Sequence, residues 1–462
     1  MRKSRHVLVP MVVPPRRPVR SGAAARLAAL TVMAVLQQPA HALGLLSSSR
    51  RHAGRRFGRF GGSVAMEAAT MAEPKRVLVV GGSGRVGGSS VRWIHELTTL
   101  EGTPVALTIG GRRESNYETS RDRIWSKLSE NADPGVTERR PLIGFTSIDI
   151  TSEASVRPAV EGFDLVVHTA GPFQTLERNL VLECCAKAGI PYLDVCDEIS
   201  LCEQGKLLKD VTAPCITAAG IWPGTSALMA AEAVKVLREA APRGTAGEEN
   251  VELSFFTAGT GNAGATIVSA TFLLLAQKAL TYAKGTAEER EPWTDERSVD
   301  FGEGVGERTV RLLDNPDVYT TQAALGVDGL ASRFSTAPPV WNRLFGAAKI
   351  LPDALLGNDE AMMSLSLFSL PIIRAVDALV GATNAMRVDA SNDQQTVTFR
   401  VTHNDLEDCV GLGTAAFACE LLAGTIPPGV LFPPELEADA RGRILERVKR
   451  DALVWEIQTR QR

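Results

Sequence analysis

Three features of the sequence predict an α/β fold built on a doubly wound parallel sheet. Val77–Val80 is an unbroken aliphatic run, the composition of a strand buried on both faces. Gly82-Ser83-Gly84-Arg85-Val86-Gly87 follows at once, and Val86–Leu97 then reads as a helix. Beyond it, short aliphatic strands alternate with helical stretches as far as residue 224, the order that produces parallel pairing through crossover helices. At 462 residues the chain is too long for one core, so at least two domains are expected.

The first seventy residues stand apart from this globule. No Asp or Glu precedes Glu67, while Arg and Lys recur from Arg2 to Arg59. Leu27–Leu36 is a short apolar run behind a basic leader, too short to span a bilayer, and Ala40-His41-Ala42 fits an A-x-A cleavage site. Ser- and Arg-rich sequence follows, from Ser47 to Phe60. A signal peptide followed by a transit peptide resembles the bipartite leaders of algal plastids bounded by extra membranes. Residues 1–71 are therefore expected to be a disordered targeting leader for a plastid, with a mitochondrial presequence as the alternative.

Without that leader the chain has 38 basic and 52 acidic residues, a net charge of −14. So acidic a protein is a poor partner for nucleic acid or anionic membranes. Seven cysteines (184, 185, 196, 202, 215, 409 and 419) form no C-x-x-C pair, which favours reduced, mostly buried thiols over disulfides or zinc.

The strand–glycine turn–helix unit carries the first chemistry. Gly82 is expected to allow the tight turn, Gly84 to let a pyrophosphate approach the backbone, and Gly87 to let helix and strand pack closely. The helix N-terminus would present free N–H groups and a positive dipole end to the phosphates. Gly81, Gly82, Ser83, Gly84, Arg85, Val86 and Gly87 are thus the expected dinucleotide cradle. Val105–Ile109 reads as the second strand. Where an NAD enzyme places an acid for the ribose 2′-hydroxyl, this chain has Gly110-Gly111-Arg112-Arg113. Two guanidiniums there suit a 2′-phosphate, so Arg112 and Arg113 predict NADP(H) over NAD(H).

Glu114–Arg140 is polar enough for a surface helix and loop, and Thr146–Ile150 reads as the third strand. Asp149 at its end suits either an adenine amino group or a helix N-terminus near Ser152. The fourth strand, Asp164–Thr169, runs into Ala170-Gly171-Pro172-Phe173, a small-residue turn for the nicotinamide half of the cofactor. Leu176–Ala188 reads as a helix closed by Gly189. Tyr192–Val195 and Cys215–Ala219 complete the strands. Ligands in such sheets bind beyond the carboxyl ends of the strands, where Arg112, Asp149, Pro172, Asp197 and Trp222 all fall.

Taken in order, GGSGRVGGSS (81–90), AGPF (170–173), YLDVCDE (192–198) and GIWPG (220–224) resemble the saccharopine dehydrogenase/reductase-like family of NADP-binding oxidoreductases. Weaker likeness continues through GTGNAGAT (259–266), SRFSTAPPVWN (332–342) and PGVLFP (428–433), so the resemblance covers roughly residues 75–435. It implies a Rossmann-type sheet at 72–224, an inserted α+β domain for substrate and dimer contacts at 225–401, and a C-terminal return to the Rossmann domain at 402–462. Val251–Phe256 and Thr396–Val401 suit strands of the second sheet, Leu412–Leu422 a returning helix and Glu435–Leu453 a final charged helix. The chemistry implied is hydride transfer between NADP(H) and a C–N bond, an imine or a secondary amine, of a small metabolite. Substrates of the saccharopine type carry several carboxylates. Arg308, Arg311, Arg333, Arg343, Arg374 and Arg387 are available in the second domain, and no spacing singles out a set.

Imine reduction needs a proton from a positioned acid. Asp197, beside Glu198 at the end of the fifth strand, is the first candidate, with a helix cap near Ser200 as its competing role. Tyr192 is the second. His168 reads as a satisfied core histidine, and Cys196 has no partner histidine nearby in sequence. No Tyr-x-x-x-Lys pair follows the fourth strand, which puts carbonyl or enoyl reduction second. A non-catalytic NADPH-binding protein is the other class.

Thr266–Ala279 and Met362–Val380 are the most apolar stretches. Pro371, Arg374 and Asp377 argue against a spanning helix in the latter. A core hairpin or a lipid-surface contact fits 362–380. A homodimer is the other expected association.

Overall fold

The computed structural model describes residues 73–131, 143–240, 247–258 and 271–462. The expected leader (1–71) and the GTGNAGAT stretch (259–266) lie outside them. From its start the chain alternates: β1 (Lys75–Val80), α1 (Arg85–Leu100), β2 (Val105–Gly111), α2 (Glu114–Asn131), β3 (Ile143–Ser147), α3 (Glu153–Val160), β4 (Leu165–His168), α4 (Leu180–Ala188), β5 (Tyr192–Asp194), α5 (Ile199–Lys206), β6 (Pro214–Ile216) and α6 (Thr225–Ala240). A strand-rich part follows: β7 (Asn250–Ala258), β8 (Ala279–Ala283), β9 (Thr286–Arg290), β10 (Arg297–Asp300), β11 (Glu307–Leu312), α7 (Pro316–Leu325) and β12 (Gly329–Ala337). Three helices, α8 (Pro339–Ala348), α9 (Asp353–Leu356) and α10 (Asp359–Val380), precede β13 (Thr383–Ser391) and β14 (Gln395–His403). The chain ends with α11 (Leu406–Leu422), β15 (Gly429–Leu431), α12 (Ala438–Lys449) and β16 (Val454–Gln461).

The first sheet has seven strands in the order β15-β6-β5-β4-β1-β2-β3, and every pairing in it is parallel. This is the predicted doubly wound, Rossmann-type layer. The aliphatic run of β1 explains its place at the centre. Val77 and Val79 join one hydrophobic core while Leu78 and Val80 join another, so both faces of the strand are covered. Strand order reverses between β1 and β4, and a crevice opens at such a point beyond the carboxyl ends of the strands.

Several boundaries differ from expectation for local reasons. The helix expected from Leu176 begins at Leu180, because the Asn179 side chain accepts the Leu182 N–H at 3.1 Å and caps it. A short 3₁₀ turn, Phe173–Thr175, fills the gap. The third strand starts earlier, at Ile143, and the sixth stops at Ile216.

The second sheet runs β10-β11-β12-β7-β13-β14-β16, with β8 and β9 added beside β12. Its β7–β12 pair is parallel and its other pairings are antiparallel, which makes this an α+β layer. Helices α6 and α11 tie the layers together: Leu228, Met229, Leu412 and Phe417 share one core with Val77 of the first sheet and Val388 of the second. Small residues let α11 sit close against α1. A Cβ on Gly411 would lie 2.3 Å from Ser89 Oγ, and one on Gly413 2.8 Å from the Gly220 carbonyl oxygen.

The segment 402–462 serves both layers. Helix α11 and β15 lie with the first sheet, but β16 pairs with β14 in the second. Trp455 anchors it, edge-on to Phe399 with ring centres 5.1 Å apart. Residues 271–275 are helical, and the apolar stretch then turns into β8 at Ala279. In α10, Met362 and Leu365 are buried while Leu367 (58% exposed) and Phe368 (52%) face outward. Among the described residues no helix is long and apolar enough to cross a membrane.

Candidate cofactor and active site

The glycine turn is built by steric necessity. Gly81 has φ +82°, and a Cβ there would meet the Ala170 backbone nitrogen at 2.8 Å. The left-handed residue is therefore Gly81, one before the position expected to make the turn. Gly82 is required for another reason: its Cβ would press on Val79 O and Ile109 Cγ1, both at 2.9 Å. Gly87 fits the expectation of close packing, since a Cβ would fall 2.3 Å from Gly81 O and 2.6 Å from Thr169 Oγ1. The loops after β1 and β4 are thus locked together at the reversal of strand order. Helix α1 starts behind Gly84 with no side-chain cap and no acid in its first turn. Its leading N–H groups and dipole remain for an anion, which fits a pyrophosphate. Arg123, from α2, donates to the Gly84 carbonyl at 2.6 Å and braces the turn. No local sequence signal marks Arg123, because it acts 39 residues away.

At the end of β2, Arg112 and Arg113 are both exposed. Ser83 Oγ reaches the same place, 3.3 Å from where a Gly111 Cβ would stand. Asp149 accepts from the Thr151 N–H (3.0 Å) and hydroxyl (2.7 Å), which together with nearby Arg112 hold its carboxyl below the ordinary range. That turn precedes α3, whose N-cap is Ser152. Arg85 and Lys127 flank the loop and share Glu407 of α11, at 3.5 and 3.3 Å, whose carboxylate is only 2% exposed.

The ends of β4, β5 and β6 meet on one buried carboxylate. Asp194 accepts from the Cys196 N–H (3.1 Å), the Ala218 N–H (2.9 Å), Thr217 Oγ1 (2.9 Å), Tyr192 Oη (2.8 Å) and Asn179 Nδ2 (3.0 Å). Tyr192 also contacts His168 Nδ1 at 3.0 Å. Its hydroxyl is spent inside the fold, and burial beside Asp194 pushes its pKa well up. Tyr192 is therefore a structural tyrosine, which corrects the expectation of a proton donor. His168 is wholly buried, and desolvation lowers it to about 4, so it is a neutral core residue. All seven cysteines are buried thiols, and burial raises Cys196 far above the range of a nucleophile.

Asp197 differs from these. Its competing role as a cap is filled by Glu198, which accepts from Ser200 N (3.4 Å) and Ser200 Oγ (2.8 Å) at the start of α5. Asp197 Oδ1 is buried without a hydrogen-bond partner, and so is Gln174 Oε1. Gln174 Nε2 donates to the Asp197 backbone carbonyl at 3.1 Å. Burial, aided by the charges of Glu198 and Asp194, raises the Asp197 carboxyl to about 6.

A family model, the saccharopine dehydrogenase NADP binding domain, matches this part of the sequence. Residues 77–228 belong to that match. NADP(H) is the cofactor such a domain takes, in accord with the uncapped glycine turn and the arginine pair. Solved structures with partial likeness include Pen from Bacillus thuringiensis, 15% identical, covering 32% of this chain and 51% of that one with a TM-score of 0.22. Another is a short-chain dehydrogenase/reductase from Veillonella parvula in complex with NADP, 12% identical, covering 37% and 57% with a TM-score of 0.17. The chain thus spans between half and three fifths of the length of these two structures. No curated protein matches the sequence.

Outside residues 77–228, the six candidate arginines of the second layer have separate surroundings. Arg333, 1% exposed, is held between Glu252 and Asp295. Arg311 bonds Glu296 at 2.6 Å, and Arg387 bonds Asp389 at 2.7 Å. Arg308 lies over the Phe256 ring at 5.1 Å, while Arg343 and Arg374 are exposed. From this layer Gln277 Nε2 donates to Glu198 Oε2 at 3.3 Å, and Asp317 of α7 accepts from the Gly224 N–H at 3.0 Å and from Ser226 Oγ.

Proposed function

We propose that the protein is an NADP(H)-dependent oxidoreductase that transfers hydride at a C–N bond, reducing an imine or oxidising a secondary amine. The observation that carries this reading is Asp197: a carboxyl at a strand end of an NADP binding domain, relieved of capping by Glu198, with a buried oxygen that has no partner.

When bound, NADPH supplies the hydride. The first turn of α1 would hold its pyrophosphate, and Ser83, Arg112 and Arg113 its 2′-phosphate. Asp197 does the proton work. With a pKa near 6 it is protonated in part at neutral pH, and in that form it gives its proton to the imine nitrogen. In the amine-oxidising direction the carboxylate takes the proton from nitrogen. Asp194 holds the start of its loop by accepting the Cys196 N–H and the Ala218 N–H. Leaving the second acceptor of that layer, Gln174, unbonded at Oε1 supports a ligand N–H as its partner.

The test is turnover by the full chain. Secondary amines with NADP⁺, and imines formed in situ with NADPH, are followed at the absorbance of the reduced nicotinamide. Net consumption of NADPH with an imine, lost in Asp197→Asn, is the expected result. Consumption with ketones or enones and not with imines would replace the C–N reading with carbonyl or enoyl reduction.

A further inference from the structure

The second sheet ends in a strand with an open outer side. β16 pairs with β14 and, among the described residues, with no other strand. Its ladder with β14 keeps one register over eight residues, Val454 to Gln461. The strand holds neither proline nor lysine, and each residue from Ile457 to Gln461 is exposed. The opposite edge strand, β10, has only four residues. A long edge strand without such guards is a template for another strand.

The hydrogen bonds fix which groups face outward. Arg462 N donates to Gln394 O at 2.8 Å, and the register of β14 and β16, carried one residue on, sets these two opposite each other. In an antiparallel ladder, opposed residues that bond each other alternate with ones that do not. The even-numbered residues of β16 therefore bond β14. The N–H and C=O groups of Trp455, Ile457, Thr459 and Gln461 point to the open edge.

The side chains make that edge complementary to itself. Two copies of β16 laid antiparallel overlap most fully with Gln458 on the axis. Ile457 then opposes Thr459, and Trp455 opposes Gln461, so the outward backbone groups of all four are met. In the same register Glu456 faces Arg460 across the seam, once on each side of the axis. Both side chains stand on one face, where Glu456 also bonds Arg400 at 3.0 Å. On the other face Ile457, 50% exposed, comes diagonal to its own copy and covers apolar surface that one chain leaves open.

We propose that β16 pairs antiparallel with the β16 of a second copy of this chain, about a two-fold axis at Gln458, so that one sheet runs through both copies. The pairing is independent of the chemistry at Asp197.

Sedimentation equilibrium of the full chain at low ionic strength tests it. The wild type is expected to be dimeric at about 100 μM. Arg460→Glu sets like charges opposite each other on both sides of the axis and should weaken the dimer at least tenfold. Glu456→Arg should do the same. Mixed in equal amounts, the two variants restore opposite charges at both places and are expected to associate with each other. Thr459→Pro removes an N–H that β14 does not use, so the chain keeps its fold while the seam loses a donor, and this variant should be monomeric. Unchanged circular dichroism confirms the fold of each variant. Should Glu456→Arg fold poorly beside Arg400, Arg460→Glu and Thr459→Pro still decide. A wild type that stays monomeric overturns the proposal and leaves the edge to a strand of a different protein. A dimer indifferent to Arg460→Glu and to Thr459→Pro overturns it in favour of another surface, and so do two folded charge variants that fail to associate when mixed.

Discussion

Glu198 caps α5, while its neighbour Asp197 buries Oδ1 without a hydrogen-bond partner. The two adjacent carboxylates have separate environments. One accepts from Ser200 and Gln277, and the other ends in a buried oxygen with no partner.

Asp197→Asn should therefore reduce imine turnover by about 10²-fold or more while NADPH binding stays intact. The pH dependence has a definite sign. Imine reduction uses the protonated carboxyl, so wild-type kcat/KM should fall as pH rises through about 6, and the reverse oxidation should rise. Stability should move in the same direction as imine reduction. The folded-state pKa lies above the unfolded value of about 3.9, so stability is fully present below that value and is lost as pH rises through about 6. The Asn variant escapes this loss. Its stability relative to wild type should therefore rise by up to about 3 kcal/mol between pH 4 and pH 8, as read by denaturant unfolding.

Selectivity for NADPH over NADH should depend on the end of β2. Replacing Arg112 and Arg113 by Ala removes two charge-assisted donors and should weaken NADPH binding by at least tenfold, with NADH little changed. Equal affinities of the wild-type chain for the two cofactors would remove the arginine pair from the site.

Gly87 and Gly442 should respond to alanine in opposite directions. The Gly87 Cβ would enter contact distance of Gly81 O and Thr169 Oγ1, so α1 must move off the turn. NADPH binding should fall by at least tenfold, and the protein should lose stability. Gly442, inside α12, has nothing within 4 Å of its Cβ position. Gly442→Ala should stabilise by about 0.5–1 kcal/mol through helix propensity alone. Thermal unfolding of both variants beside wild type checks the pair.

Local patterns made the first layer legible. Val77–Val80 is aliphatic because β1 is covered on both faces, and the glycine turn is compulsory because three chain segments converge there. Other features depend on contacts between residues distant in sequence and had no local mark. Arg123 braces Gly84 from the next helix, and Asn179 caps α4 while bonding Tyr192 and Asp194. Tyr192 looked like a proton donor because a strand-end tyrosine in sequence does not reveal whether its hydroxyl faces inward. The return of β16 to the second sheet was hidden for a similar reason: its outer residues are exposed and polar, and Trp455 against Phe399 is a pairing across 56 residues.

Asp317 gives a test of how the two layers are joined. From α7 it accepts the Gly224 N–H and the Ser226 hydroxyl, which begin α6, and it is completely buried. Asp317→Ala would leave the Gly224 N–H buried without a partner, while the Ser226 hydroxyl keeps the Ile221 carbonyl, a loss of about 1–3 kcal/mol. Burial raises this carboxyl to about 7, so its own contribution is greatest at low pH and is lost as pH rises through about 7. The destabilisation caused by Asp317→Ala should accordingly be larger at pH 5 than at pH 8. The Gly220–Gly224 turn also carries Trp222, which stacks on Phe255 and donates to Asn384 Oδ1 at 2.9 Å. Loosening the turn should therefore expose Trp222, and its fluorescence in the folded variant should shift to the red. Unchanged emission together with unchanged stability would mean that the layers are held by their shared apolar core and not by this carboxylate.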